Sequence, residues 1–263
     1  MSVMTAPPAA PARQSAHQSA LWRLTLAESK LFLRERVGPI WGIALPMLLL
    51  VIFGAIPSFK KPQASFGGYT TLDVYVPILI AMMLGLLSLV ALPMVLAGYR
   101  EKGILRRLQT TPAGPARVLS AQLLINLGAA TVTVILLLAV ARLAYSVPLP
   151  RQLAGFALAA LLAAAALMSI GLLVAAVAPT GRTAQVIGSL LFYPLMFFSG
   201  LWLPIPSMPV ALQHISHATP LGAAWVAMST AATGSWPHAL PLLTMAAYAV
   251  VFGTVAAKLF RWE

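Results

Sequence analysis

From Val37 onward the chain alternates long apolar runs with short polar breaks. Six runs approach the roughly 20 residues that a helix needs to cross a bilayer: 37–56, 74–98, 118–141, 153–177, 183–203 and 240–259. No Asp, Glu, Lys or Arg lies in the central part of any of them. Hydrocarbon offers the backbone no hydrogen-bond partner, so such runs take helical form. The pattern predicts an all-α membrane protein with six transmembrane helices. Pro46, Pro77, Pro93 and Pro194 fall within runs and permit kinks there. Gly155, Ala159 and Ala163, followed by Ala164, Ala165 and Ala166, let helix backbones approach closely, as general bundle packing requires. Gln122 and Asn126 stand one turn apart, and such amides commonly bond between helices.

Three stretches depart from this pattern. Residues 1–20 are rich in Ala, Pro, Ser and Gln and are expected to form a disordered tail. Residues 21–36 place Leu21, Leu24 and Leu31 on one line and Trp22, Leu26 and Leu33 on another, mixed with Arg23, Lys30, Arg34 and Arg36. That suits an amphipathic helix in the membrane interface with Trp22 as an anchor, although an ordinary cytoplasmic helix could carry the same pattern. Between the fifth and sixth runs, Pro204, Pro206, Pro209 and Pro220 cut the chain into apolar pieces too short to cross. Such pieces are usually re-entrant or interfacial, and Trp202, Trp225 and Trp236 fit an interfacial belt.

Composition agrees with the pattern. The chain is 60% hydrophobic and 8% charged, with a mean hydropathy of +0.90, outside the range of soluble globular domains. It has no cysteine, which rules out disulfides and thiolate metal sites. A net charge of +12 could suggest nucleic acid, but the basic residues cluster at the ends of apolar runs and read as topology signals. Of the 17 Lys and Arg residues, all but Lys60, Lys61, Arg142 and Arg151 fall on one face if the N-terminus is cytoplasmic. Both termini are therefore expected on the cytoplasmic side.

The polar break at 98–122, GYREKGILRRLQTTPAGPARVLSAQ, holds Arg100, Lys102, Arg106, Arg107 and Arg117 against the single acid Glu101. Ile104, Leu105 and Leu108 share one helical face. Glu101 is expected in the first turn, where the helix dipole favours a carboxylate. Pro112 and Pro115, with Gly114 between them, are expected to end the helix. The result is a short amphipathic helix across the membrane surface, tied to a span on each side, although a basic loop can also be a topology signal and nothing more. The order of Arg100, Glu101, Gly103, Leu105, Arg106, Arg107, Leu108, Thr111 and Pro112 resembles the coupling loop of the ABC type-2 transporter permease family. In the outer segment, Phe198-Ser199-Gly200, Leu203-Pro204, Met208-Pro209 and Thr219-Pro220 resemble that family's re-entrant segment.

The resemblance implies a multi-pass plasma-membrane permease subunit of an ATP-driven exporter. Residues 21–36 would be its connecting helix, 37–263 its transmembrane domain and 98–122 the dock for a separate ATP-binding subunit. Two such subunits would hold the ATP and magnesium, and a second permease copy, identical or related, would complete the pathway. Gly200, Pro204, Pro209 and Pro220 would belong to the outer re-entrant segment. The lack of a large outer domain matches compact members that export drugs, lipids or glycans. The chain's own residues leave no visible ATP site: Gly98 and Gly103 have P-loop spacing, but Ile104 stands where a lysine is needed and no strand precedes. His214, His217 and His238 lack a firm third metal ligand. Ser169, Ser189 and Ser199 lack a nucleophile's context, so a membrane-embedded enzyme is the weaker alternative. An ion-coupled carrier is the other alternative, but Glu28, Glu35, Asp73, Glu101 and Glu263 all lie at span ends or outside spans, away from where proton relays run.

Overall fold

A computed structural model describes residues 38–104 and 115–259. The expected tail, the helix at 21–36 and the centre of the basic island lie outside the described residues. Those described are helical apart from turns and one isolated β-bridge, Pro62 to Thr70.

Helix α1 spans Gly38–Ala55, and two 3₁₀ turns, Pro57–Lys60 and Ala64–Phe66, lead to α2, Thr71–Gly85. A capping box starts α2. Thr70 Oγ1 accepts from Asp73 N (3.1 Å) and Asp73 Oδ2 accepts from Thr70 N (2.8 Å), so each side chain satisfies the other residue's otherwise orphaned amide. A π-helical stretch, Leu86–Ala91, joins α2 to α3, Leu92–Glu101. Helix α4 spans Pro115–Tyr145, α5 Leu153–Val177 and α6 Gly181–Phe198. A 3₁₀ turn, Ile205–Ser207, precedes α7, Val210–Ala218; α8 is Pro220–Thr233 and α9 is Ala239–Leu259.

Four helical stretches among the described residues are long and apolar enough to cross a membrane: Thr71–Glu101, Leu119–Tyr145, Leu153–Val177 and Ala239–Leu259. Each of the six expected runs is helical over most of its described length, but the fifth, 183–203, leaves the helix after Phe198. Gly181–Phe198 falls short of that standard because Arg182, Gln185, Tyr193 and Pro194 dilute its apolar residues; Gly38–Ala55 is apolar over its 18 residues and carries no charged side chain. The second run does not stop at Gly98, as its glycine and flanking charges suggest, but continues to Glu101. Pro115, expected as a stop, lies inside α4 at its first described residue; proline is well placed there because a first-turn N–H has no helical acceptor.

The α2–α3 rod forms the centre. Ile78, Leu79, Ile80 and Ala81 are consecutive and fully buried, so this rod is enclosed on every side. Helices α4 and α9 sit at the periphery and turn Val132, Ile135, Leu143, Leu240 and Val250 outward. A contiguous apolar exterior of this kind suits lipid, where no water penalises it. Small residues of α5 carry the packing: Gly155, Ala159, Ala163, Ala164 and Ala166 are buried, while Ala165 faces out. Ser169 Oγ donates to Ala166 O (2.7 Å) and across to Tyr248 O on α9 (3.2 Å).

The π stretch follows from Pro93. Leu92 N–H reaches back five residues to Leu87 O, and Pro93 has no N–H. Ser88 O thus loses both its α-helical and its π-helical donor, and Leu89 O loses its α-helical one. Glycines of two neighbouring helices come against these carbonyls. A Cβ at Gly171 on α5 would overlap Ser88 O, and one at Gly188 on α6 would overlap Leu89 O. Gly188→Ala is therefore expected to destabilise the bundle by about 1–3 kcal/mol through overpacking. Gly128→Ala, where a Cβ meets open space, is expected to stabilise by up to about 1 kcal/mol through helix propensity. Thermal melts of the detergent-solubilised variants should move in opposite directions; equal shifts would refute the close contact.

Candidate functional site

The last turn of α3 carries Tyr99, Arg100 and Glu101. Successive helical residues project about 100° apart, and these three reach three different elements. Tyr99 Oη accepts from Gln122 Nε2 on α4 at 3.4 Å. Arg100 Nη1 donates to Ala176 O at 2.9 Å, and its Nη2 donates to Ala178 O, both at the C-terminal end of α5. Glu101 Oε2 accepts from the Gly181 amide at 3.0 Å, the first residue of α6.

Each charge meets the helix end of opposite polarity. The last carbonyls of α5 carry partial negative charge and the first amides of α6 partial positive charge. Arg100 and Glu101 therefore hold the turn at 178–181 from both sides, without an acid–base pair between side chains. Such a pairing is worth roughly 0.3–1 kcal/mol at an exposed helix end and up to about 2 kcal/mol where partly buried. Half-buried Arg100, with two bonds, belongs nearer the upper figure than exposed Glu101. Thr180 supplies the N-cap of α6, its Oγ1 accepting from Thr183 N at 3.1 Å.

Backbone proximity makes the clasp possible. A Cβ on Gly181 would lie 2.8 Å from Met94 O and 3.3 Å from Gly98 Cα, so the α5–α6 turn sits directly on the end of α3. That contact also explains why Gly98 is tolerated inside the helix. Lys102 N then bonds Gly98 O (3.1 Å) and Gly103 N bonds Arg100 O (2.9 Å). Gly103 takes φ +66°, a left-handed conformation that glycine adopts at no steric cost, and α3 ends there.

Glu101 thus occupies the last turn of α3, not the first turn of a loop helix. The expected dipole pairing is present, but with the N-terminus of α6. Sequence spacing could not reveal this, because the partner is a backbone amide 80 positions away. Leu105, Arg106, Arg107, Leu108, Thr111 and Pro112 lie outside the described residues. Asn126 donates from Nδ2 to Gln122 O at 2.9 Å, within its own helix, while Gln122 makes the bond between helices.

In the segment after α6 the prolines begin elements as well as interrupt them. Pro204 caps the 3₁₀ turn Ile205–Ser207, Pro209 caps α7, and Pro220 is in the first turn of α8. Gly200 takes φ +93° against Ile205 and reverses the chain. Ser216 Oγ donates to Phe198 O, fastening α7 to the end of α6. Helix α8 is deeply enclosed, with Leu221, Ala224, Ala227 and Met228 fully buried.

Amide exchange tests the clasp directly. Glu101→Ala should raise hydrogen exchange in the peptide containing Gly181 several-fold while leaving α9 unchanged; unaltered exchange there would remove Glu101 from the clasp.

Residues 19–233 match the ABC-2 type transporter family. Two curated relatives, from Escherichia coli K12 and Escherichia coli O157:H7, each bear the name "Probable multidrug ABC transporter permease YbhR". Each is 27% identical to the chain over 146 residues, which is 56% of this chain and 40% of the relative. The aligned part thus spans two fifths of the length of those relatives.

Proposed function

This chain belongs to the ABC-2 type transporter family, and on that premise we propose that it is the permease subunit of an ATP-driven exporter. ATP and magnesium belong to a separate ATP-binding subunit, present in two copies, which docks on the island at 98–122 and on the helix at 21–36. Two permease copies, identical or related, enclose the pathway. The chain lies in the plasma membrane with six spans and both termini cytoplasmic, the arrangement that the basic residues favour. The segment around Gly200, Pro204, Pro209 and Pro220 enters the opposite face without crossing. The cargo is apolar or amphipathic, a drug, lipid or glycan, in keeping with the lack of fully buried acids among the described residues and with the multidrug name of the two relatives.

The clasp of Tyr99, Arg100 and Glu101 is the observation that carries this reading. A loop that served only as a topology signal would not need its base bonded to α4, α5 and α6 at once. A loop that transmits force does need it. Closure of the ATP-binding subunits moves the island, and the clasp carries that movement into the α5–α6 turn and biases the bundle between two arrangements.

Arg107 separates the two readings. Arg107→Glu places a like or unpaired charge in the dock, and losing one buried charge partner can cost about 2–5 kcal/mol of binding. At matched membrane abundance it should abolish capture of the ATP-binding subunit and export. Arg107→Gln should also weaken capture, although the other basic residues still hold the loop inside. Normal capture and export in both variants would reduce the island to a topology signal.

A further inference from the structure

At the end of the bundle opposite Glu101, the start of α2 and the ends of α4 and α8 enclose a cavity of about 250 Å³. Phe66, Tyr69, Phe156 and Trp225 line it, and among the described residues Asp73 is the only charged side chain that does. Most of its other polar side chains have their donors engaged. Trp225 Nε1 donates to Val74 O (3.4 Å), and Ser229 and Thr233 each donate their hydroxyl proton to their own helix, to Val226 O (3.0 Å) and Thr230 O (2.8 Å), so the two hydroxyls have lone pairs to offer, while Tyr69 Oη can donate or accept. Asp73 offers only acceptor oxygens when ionised. A second cavity of about 350 Å³ shares Leu138 and Phe156 with the first and continues between α4 and α5. Among the described residues Thr131 is its only polar lining residue, and Thr131 Oγ1 donates to Leu127 O (2.8 Å).

We propose that the two cavities together bind a single-tailed amphipathic cation, its ammonium-type head beside Asp73 and its alkyl chain in the groove between α4 and α5. Aromatic faces with a carboxylate favour a desolvated cation over an anion, and a groove without free polar groups favours an alkyl chain. The basic residues at this end do not compete for the cavity: Lys60, Lys61, Arg142 and Arg151 are not among its lining side chains, and Lys60 Nζ rests over the Tyr145 ring at 5.4 Å. The inference deepens the exporter reading by naming a cargo class and rests on it for that role, but the site itself needs no ATP-binding subunit.

The test uses the purified full chain in phosphatidylcholine nanodiscs, titrated calorimetrically against empty discs. Three probes separate the contributions: dodecyltrimethylammonium, dodecyl phosphate with the same tail and opposite charge, and tetramethylammonium with the head alone. Saturable binding is expected for the first only. Asp73→Asn keeps an acceptor for the Thr70 amide and removes the charge, and should weaken that binding at least about tenfold while lowering the melting temperature by no more than a few degrees. Ala157→Trp, which fills the groove from its exposed side, should weaken it as well. Equal binding of dodecyl phosphate, no saturable binding of the cation, or an Asp73→Asn variant that binds as wild type does would overturn the proposal. Because capture of the ATP-binding subunit is measured separately, loss of this site leaves the permease reading intact, and failed capture leaves the site standing.

Discussion

Two oppositely charged side chains on one helical turn bind the ends of two other helices. Arg100 satisfies carbonyls that α5 leaves without partners, and Glu101 satisfies an amide that α6 leaves without one. Any helix end placed away from bulk water must find such partners, so the turn at 178–181 is held where α3 ends. With Tyr99 bonded to α4, one turn of helix fixes the relative positions of four elements. The polypeptide leaves this turn for the basic island and returns through α4, so both strands of the island are rooted in the same knot.

The same rod is anchored again farther along. Pro93 withdraws donors from Ser88 O and Leu89 O, and Gly171 and Gly188 bring α5 and α6 against those carbonyls. Both contacts join α3 and its π stretch to the same two helices. Two well-separated attachments resist pivoting better than one, so α5 and α6 should follow the rod as a body. Densely packed contacts of this kind switch between discrete arrangements more readily than they deform, which is what the proposed exporter would require.

Much of the helical plan was legible, because long apolar runs without central charges leave helices as the available form. Run 153–177 coincides with α5, and the other described boundaries shift by a few residues. The errors have physical sources. Gly98 reads locally as a stop, yet it stays helical because Gly181 packs on it. Pro115 and Pro220 read as breakers, whereas each serves in a first helical turn or at the start of the described helix. Arg100 and Glu101 stand out by their likeness to a family motif, but their partners among the described residues are backbone atoms, which no local pattern of side chains displays. The prolines of the outer segment marked where its pieces end, while the enclosure of α8 depends on Trp225 and its neighbours meeting α2, a long-range contact without local pattern.

If the island drives α6 through this clasp, Lys102 and Arg182 must move together. Both are exposed and flank the bonded turn, so spin labels on cysteines placed there report its rigidity with little disturbance. Pulsed electron–electron double resonance on the proposed complex of two permease copies and two ATP-binding subunits should give one narrow Lys102–Arg182 distance, the same without nucleotide and with ATP trapped, while the distance between Arg182 positions of the two copies changes. A Lys102–Arg182 distance that shifts or broadens on trapping as much as the distance between copies would contradict transmission through the clasp.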